Sequence, residues 1–316
     1  IHSFPTRRSS DLLPVAGWAV FATLTFGSPL PHSMTAKLAA YHLAADSAFI
    51  RLIQHYATPF LDGNIWTDAV AIAIGIILYP FLFIIGLLRA GRKDWHSLFF
   101  LLYPFFYFAS FAIPNPLIFR WYLTPPLPIY FLVILLGIDQ ILSPLVKQFA
   151  VLKRRPWLPL LAAMILPFTS TLLEWDLHPD HGPDRPAPAM AFIKLELMYR
   201  EVAEQIAPEL NSQSVLAAGD VGVLGYFTPA RILDTVGLNS PISTRYYPLP
   251  DEAYVINYAV PSRLILDEKP DFLVIVESYG RNTLLTDAEF AAAYRQVSRV
   301  ETDIYDSRGV LVFKKE

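Results

Sequence analysis

The sequence predicts an α-helical polytopic membrane domain of about five spans, followed by a small α/β extracytoplasmic domain. Three observations carry this expectation. Hydrophobic residues make up 54% of the 316 and charged ones only 17%, with a mean hydropathy of +0.39. That is too apolar for an ordinary soluble enzyme. The excess is confined to residues 12–173, where apolar runs approach the roughly 20 residues needed to cross a bilayer core. From Glu174 onward the chain is charged and reads as soluble. The net charge of −3 leaves no basic stripe, so nucleic acid is not an expected partner. With no cysteine, disulfides and thiolate metal sites are excluded.

The spans are read at 12–27, 65–88 and 96–113, then across "LTPPLPIYFLVILLGIDQIL", and at 157–173. Prolines within them are tolerable where neighbouring helices satisfy the freed backbone groups. Arg89, Arg92 and Lys93 follow the second span; Lys147, Lys153, Arg154 and Arg155 follow the fourth. The positive-inside rule places loops 89–95 and 144–156 in the cytoplasm and residues 174–316 outside. The expected location is therefore a membrane bordering the cytoplasm, crossed several times. Trp66, Trp121, Tyr122 and Trp175 fall at the outward ends, as belt residues do.

After the first span, "FGSPLPHSMTAKLAAYHLAADSAFIRLIQHY" opens with prolines that oppose helix. An amphipathic helix is expected at about 33–56, with Ser33 as N-cap and apolar residues at helical spacing. Arg120 lies between two spans on the side otherwise poor in basic residues. An arginine at that depth needs an anionic or carbonyl partner, or must snorkel to lipid phosphates.

Residues 174–187, "EWDLHPDHGPDRPA", read as a linker before an α/β domain at 188–316. His178 and His181 sit there among aspartates, but no helix aims both rings at a metal. A helix is expected at about 188–207, strands in "SVLAAGD", "ARILDTVG", "DFLVIVES" and "GVLVFKK", and helices at 254–267 and 287–295. The apolar runs are continuous, which favours strands buried on both faces. In "AAGDVGVLGYF" the glycines are spaced Gly219-x-x-Gly222-x-x-Gly225, not as a dinucleotide fingerprint, and close strand–helix packing explains them better.

Three stretches, "FGSPLPHSMTAK", "FRWYLTPPLP" and "GDVGVLGYFTPARILDTVGLNSP", together resemble bacterial GT-C-fold membrane glycosyltransferases, the relatives of protein mannosyltransferases and arabinosyltransferases. The matching positions are Gly27, Pro31 and Lys37, then Arg120 and Tyr122, then Asp220, Gly222, Gly225, Tyr226, Asp234, Gly237 and Leu238. The resemblance implies the C-terminal part of a GT-C fold, and sugar transfer from a polyprenyl-phosphate donor to a glycan, lipid or protein acceptor at a membrane lipid surface. Lys37, Arg120 and Tyr122 are then candidates for binding the donor phosphate, since cations stabilise the charge developing there. The positions from Asp220 to Gly237, with Gly27 and Pro31, are expected to be structural. A divalent metal is compatible with this chemistry, but no site for one is identified. The family's catalytic carboxylate lies on an early outward loop, and neither Asp46 nor Asp62 sits in such a motif. The general base is therefore expected upstream, outside a truncated chain.

Arg7-Arg8 before an apolar run imitates an export signal. Residues 2–12, "HSFPTRRSSDL", instead reproduce the translation of a common short-read sequencing adapter, so residues 1–12 are set aside from fold reasoning. Two other functions compete with the transferase. One is a non-catalytic membrane protein presenting an extracytoplasmic α/β binding domain. The other is a transporter, which would place ionisable residues near the membrane midplane.

Overall fold

The apolar runs of the C-terminal part form a five-stranded sheet of order β2-β1-β3-β5-β4. In this computed structural model the described residues are 13–57, 68–148, 191–316 and a few between 154 and 169. The strands are β1 (Val215–Ala218), β2 (Arg231–Asp234), β3 (Phe272–Val276), β4 (Tyr294–Val300) and β5 (Val310–Lys315). β1 pairs in parallel with β2 and β3, whereas β5 is antiparallel to both β3 and β4. Every residue of β3 is buried, as a central strand covered on both faces requires. β4 runs along the edge with mostly exposed side chains, "YRQVSRV". Its charges blunt an edge that would otherwise template pairing, and they also hide it from a search for apolar runs.

Helices α8 (Ala191–Ile206), α9 (Gly222–Phe227), α10 (Ser262–Glu268), α11 (Glu277–Gly280) and α12 (Ala288–Ala293) accompany the sheet. The helix expected at 254–267 is shorter, because Pro261 occupies the N-cap position of α10. Before it the chain is extended, and Val260 N–H bonds to Tyr279 O at 2.8 Å. Asp287 caps α12 by accepting from Glu289 and Phe290 N–H.

The N-terminal part holds α1 (Leu13–Phe26), α2 (His32–Ala40), α3 (Ser47–Ala57), α4 (Asp68–Lys93), α5 (Ser97–Leu101), α6 (Tyr103–Ala112) and α7 (Leu127–Gln148). These helices correct the expectation of about five spans. Among the described residues only Ala73–Lys93 and Leu127–Pro144 are long and apolar enough to cross a membrane. α1 is 14 residues long and ends at Gly27, whose φ is +78°. The run at 96–113 divides at Leu102, where α6 restarts with a proline in its first turn. The run at 157–173 lies largely outside the described residues, as do residues 1–12 and the linker with His178 and His181. The polytopic membrane domain, and with it the C-terminal part of a GT-C fold, is not the architecture found. Arg89, Arg92 and Lys93 also belong to α4 rather than to a loop.

The helix expected at 33–56 is two helices. Tyr41 leaves α2 with extended backbone (φ −92°, ψ 127°) and forms an antiparallel bridge with Tyr258. Strand-type pairing here overrides local helical periodicity.

The chain divides into two units, one joining the residues through His42 to those from His181 onward, the other spanning Leu43–Asp180. In the first, Ala40 joins the sheet core of Leu216, Ala217, Leu273 and Val312. In the second, α4 and α7 cross closely: a Cβ on Gly86 would stand 2.0 Å from Val133 O, and one on Gly137 2.1 Å from Leu82 O. Small residues at such a crossing let the backbones approach. Arg89 pairs with Asp139 across the same two helices.

Candidate functional site

The order β2-β1-β3 makes β1 the point where the chain steps first to one side of the sheet and then to the other. In open parallel sheets the crevice at the carboxyl ends of the strands, at such a switch, is where ligands bind. An acidic residue ends each of these strands here: Asp220 just after β1, Asp234 closing β2, and Glu277 following β3. Their surroundings assign them different work.

Asp234 is 1% exposed, and its carboxylate accepts from the N–H groups of Val236 (2.9 Å), Gly237 (3.2 Å) and Asn239 (2.8 Å). This is a loop-forming carboxylate with its lone pairs engaged. Gly237 turns with φ +96°, a conformation that favours glycine. Glu277 is held by Arg281 at 2.9 and 2.7 Å and by Arg308 N–H at 3.2 Å. The Arg281 hydrogen bonds are the main reason its carboxyl lies below the ordinary range.

Asp220 differs. Its one hydrogen-bond donor among the described residues is the Tyr199 hydroxyl at 2.7 Å. Burial raises its pKa, Tyr199 opposes that rise, and the charge of Asp234 adds to it. No lysine or arginine contributes. Asp220 in turn raises the hydroxyls of Tyr41, Tyr279 and Tyr305, for each of which burial is the larger cause. All three are neutral at any ordinary pH.

Each tyrosine is positioned by a different element. Tyr41 arrives on the segment after α2, and its ring lies 5.8 Å from that of Tyr258. Tyr258 is locked by its contact with Thr235 Oγ1 at 2.7 Å, and its ring lies 5.0 Å from Tyr279. Gly219 makes room for it, since a Cβ there would meet Tyr258 Cε1 at 3.1 Å. Tyr305 stacks on Tyr279 at 6.3 Å from a left-handed backbone (φ 57°, ψ 38°), followed by Asp306 at φ 54°. Such strain persists only where neighbours enforce it. Arg281 does so, reaching Asp306 O at 2.5 Å and its carboxylate at 3.3 Å.

Of the residues singled out by sequence, Lys37 lies in the last turn of α2, and Pro31 occupies the N-cap position of that helix. Arg120 opens a 3₁₀ turn, Arg120–Leu123, in the other unit. Tyr122, in the same turn, accepts the Tyr107 hydroxyl on its carbonyl at 2.7 Å and packs 5.5 Å from Phe111. Gly222 begins α9 with nothing within 4 Å of a notional Cβ, whereas Gly225 would bring one to 3.2 Å from Ile232 Cγ1. Tyr226 is 82% exposed. Among the described residues, no three His, Cys, Asp or Glu side chains are placed to hold a metal ion.

Sequence reasoning marked Asp220 only as a motif position and passed over Tyr41, Tyr199, Tyr279 and Tyr305. They span most of the chain, and no local spacing links them. Two of the three stretches do meet. His32, from the "GSPLPHSMTAK" stretch, places Nε2 2.9 Å from Gly237 O in the "LDTVGL" stretch. His42 N–H bonds to Asn257 O at 2.9 Å, and its ring stacks 4.8 Å from Tyr254.

Residues 191–313 match a family described as "Domain of unknown function (DUF8728)". The matched stretch runs from α8 into β5 and so carries Asp220, Asp234 and Tyr279, but not the segment that brings Tyr41. No curated protein and no solved structure matches the chain.

Proposed function

We propose that the chain works as part of a membrane-associated glycosyltransferase, moving a sugar from a polyprenyl-phosphate donor to an acceptor outside the bacterial cytoplasmic membrane. The observation that carries this reading is the contact of His32 with Gly237, across 205 positions. It joins two of the three stretches on which the family resemblance rests. Two helices long and apolar enough to cross a membrane agree with a donor anchored in lipid.

The chemistry is displacement at the anomeric carbon with a lipid phosphate leaving. Arg120 offers a planar fork for bidentate contact with the oxygens of that phosphate. Tyr122, in the same turn, adds a hydroxyl donor. The arginine acts on charge that grows in the transition state, where electrostatic stabilisation is most effective.

The test is donor binding by the full chain in lipid nanodiscs, with polyprenyl phosphate as probe. Arg120→Gln should weaken binding by about tenfold, the cost of losing one charge-assisted contact. Equal affinity for wild type and variant sinks the assignment.

A further inference from the structure

We infer that the cleft where α4 meets α5 holds an anionic phospholipid, with its phosphate on Arg92 and Lys93 and one acyl chain among the neighbouring leucines. This rests on the proposed function only in placing α4 in a bilayer; no transfer reaction is needed.

The stretch "LLRAGRKDWHSLFFLL", residues 87–102, passes from apolar to basic and back to apolar. Of its three cations, Arg89 is spent on Asp139 of α7. Arg92 and Lys93 are exposed and pair with no described carboxylate. Asp94 is the one acid in the stretch, and the turn between the helices consumes it. Its Oδ1 accepts from His96 N–H at 3.0 Å and lies 3.1 Å from His96 Nδ1. Its carbonyl accepts the Ser97 hydroxyl at 2.7 Å. The whole chain carries a net charge of −3, so the positive charge is a local property of this helix end.

Arg92 lines a cleft of about 360 Å³ whose other walls are Leu87, Leu88, Gly91, Leu98 and Leu102. Gly91 lets α5 close over α4, since a Cβ there would meet Leu98 Cδ1 at 3.1 Å. That volume suits a ligand site, and the guanidinium is its one polar side chain. The walls therefore select a hydrocarbon chain and the rim selects an anion. A zwitterionic lipid brings its own ammonium group and gains less from two cations. A free phosphate would leave the leucines wet. Trp95, Phe99 and Phe100 are exposed alongside, with the Trp95 ring 4.0 Å from His96 and 5.9 Å from Phe99. Exposed cations beside exposed aromatic rings are the pattern of a headgroup boundary. A soluble core helix would bury its apolar run, whereas only 22% of the apolar window in Ala73–Lys93 is buried among the described residues.

Native mass spectrometry of the full chain in detergent, titrated at low ionic strength, tests this with phosphatidylglycerol and phosphatidylcholine of the same acyl chains. Phosphatidylglycerol should bind about 25-fold more tightly, about fivefold for each cation. Arg92→Gln and Lys93→Gln should each cut the preference about fivefold, and the double variant should abolish it. Leu88→Asn, in the cleft wall, should weaken both lipids about tenfold and leave the preference unchanged. All three side chains are exposed, and an unchanged thermal midpoint checks that the fold survives. Equal affinity for the two lipids overturns the proposal. So does a preference that survives the double substitution, or lipid binding untouched by Leu88→Asn. Glycerol 1-phosphate binding as tightly as the lipid overturns it too, since that would make the site one for free phosphate. A phosphatidylglycerol preference without polyprenyl-phosphate binding upholds this site while removing the transfer reading, and the reverse result removes this site alone.

Discussion

His32 Nε2 and the carbonyl oxygen of Gly237 lie 2.9 Å apart although 205 positions separate the two residues. The contact ties α2 to the loop that Asp234 organises. It works with the Tyr41–Tyr258 bridge to hold the segment carrying Tyr41 against the sheet edge. His32→Ala should cost about 0.5–1.5 kcal/mol, the net value of one hydrogen bond. More diagnostically, amide exchange should accelerate across 33–41 while the strands stay protected. Hydrogen-exchange mass spectrometry reads both, and unchanged exchange in α2 would remove the strap.

Asp234 should be far more sensitive. Its carboxylate serves three backbone N–H groups inside the fold. Alanine there leaves all three without an acceptor, a loss of about 3 kcal/mol or more. Asparagine keeps one acceptor oxygen and should lose less. Urea unfolding followed by circular dichroism orders the three proteins as wild type, asparagine, alanine; an alanine variant as stable as wild type contradicts the loop-forming role.

Asp220 and Glu277 should give opposite signs of pH dependence. The pKa of Asp220 is raised, chiefly by burial, so the folded state holds its proton more tightly than the unfolded one does. Stability then falls as pH rises from the ordinary value of 3.8 through the raised folded value. Asp220→Asn removes that loss, so its advantage over wild type should appear on raising the pH through this window. The pKa of Glu277 is lowered, chiefly by Arg281, so its contribution is complete above 4.5 and is lost as pH falls through the folded value. Glu277→Gln should therefore lose less than wild type on acidification. Thermal midpoints across the acidic range test both signs at once.

The strands were legible because β1, β3 and β5 are continuous apolar runs, and a central strand buried on both faces has no other pattern available. β4 was not, since an edge strand of Arg, Gln and Ser carries no apolar signal. The spans were over-read for a related reason. Hydropathy sums side chains and does not register where Gly27 ends a helix after 14 residues, or where Leu102 separates two short ones. The site was the least legible part. Asp220 stood in a recognisable motif, but Tyr41 comes beside Tyr258 only because its backbone gives up the helix to pair there. That choice depends on a partner 217 positions away, counted from 41 to 258.

The α4–α7 crossing makes the last prediction, in which the sign of a glycine-to-alanine change is the readout. In an open helical position alanine is favoured over glycine by about 0.5–1 kcal/mol. Gly17, with nothing within 4 Å of a notional Cβ, should show that gain. Gly86 and Gly137 should show the reverse, because the added carbon would stand 2.0 and 2.1 Å from carbonyl oxygens of the facing helix. Backbone cannot swing aside as a side chain does, so the helices must separate, at a cost of about 1–3 kcal/mol or more. Gly91 falls between, since its nearest neighbour is the flexible Leu98 side chain at 3.1 Å. Thermal midpoints in one detergent should therefore rank Gly17→Ala above wild type, Gly91→Ala near it, and Gly86→Ala and Gly137→Ala below. A stabilised Gly86→Ala would mean that the two helices do not approach at Gly86 and Val133.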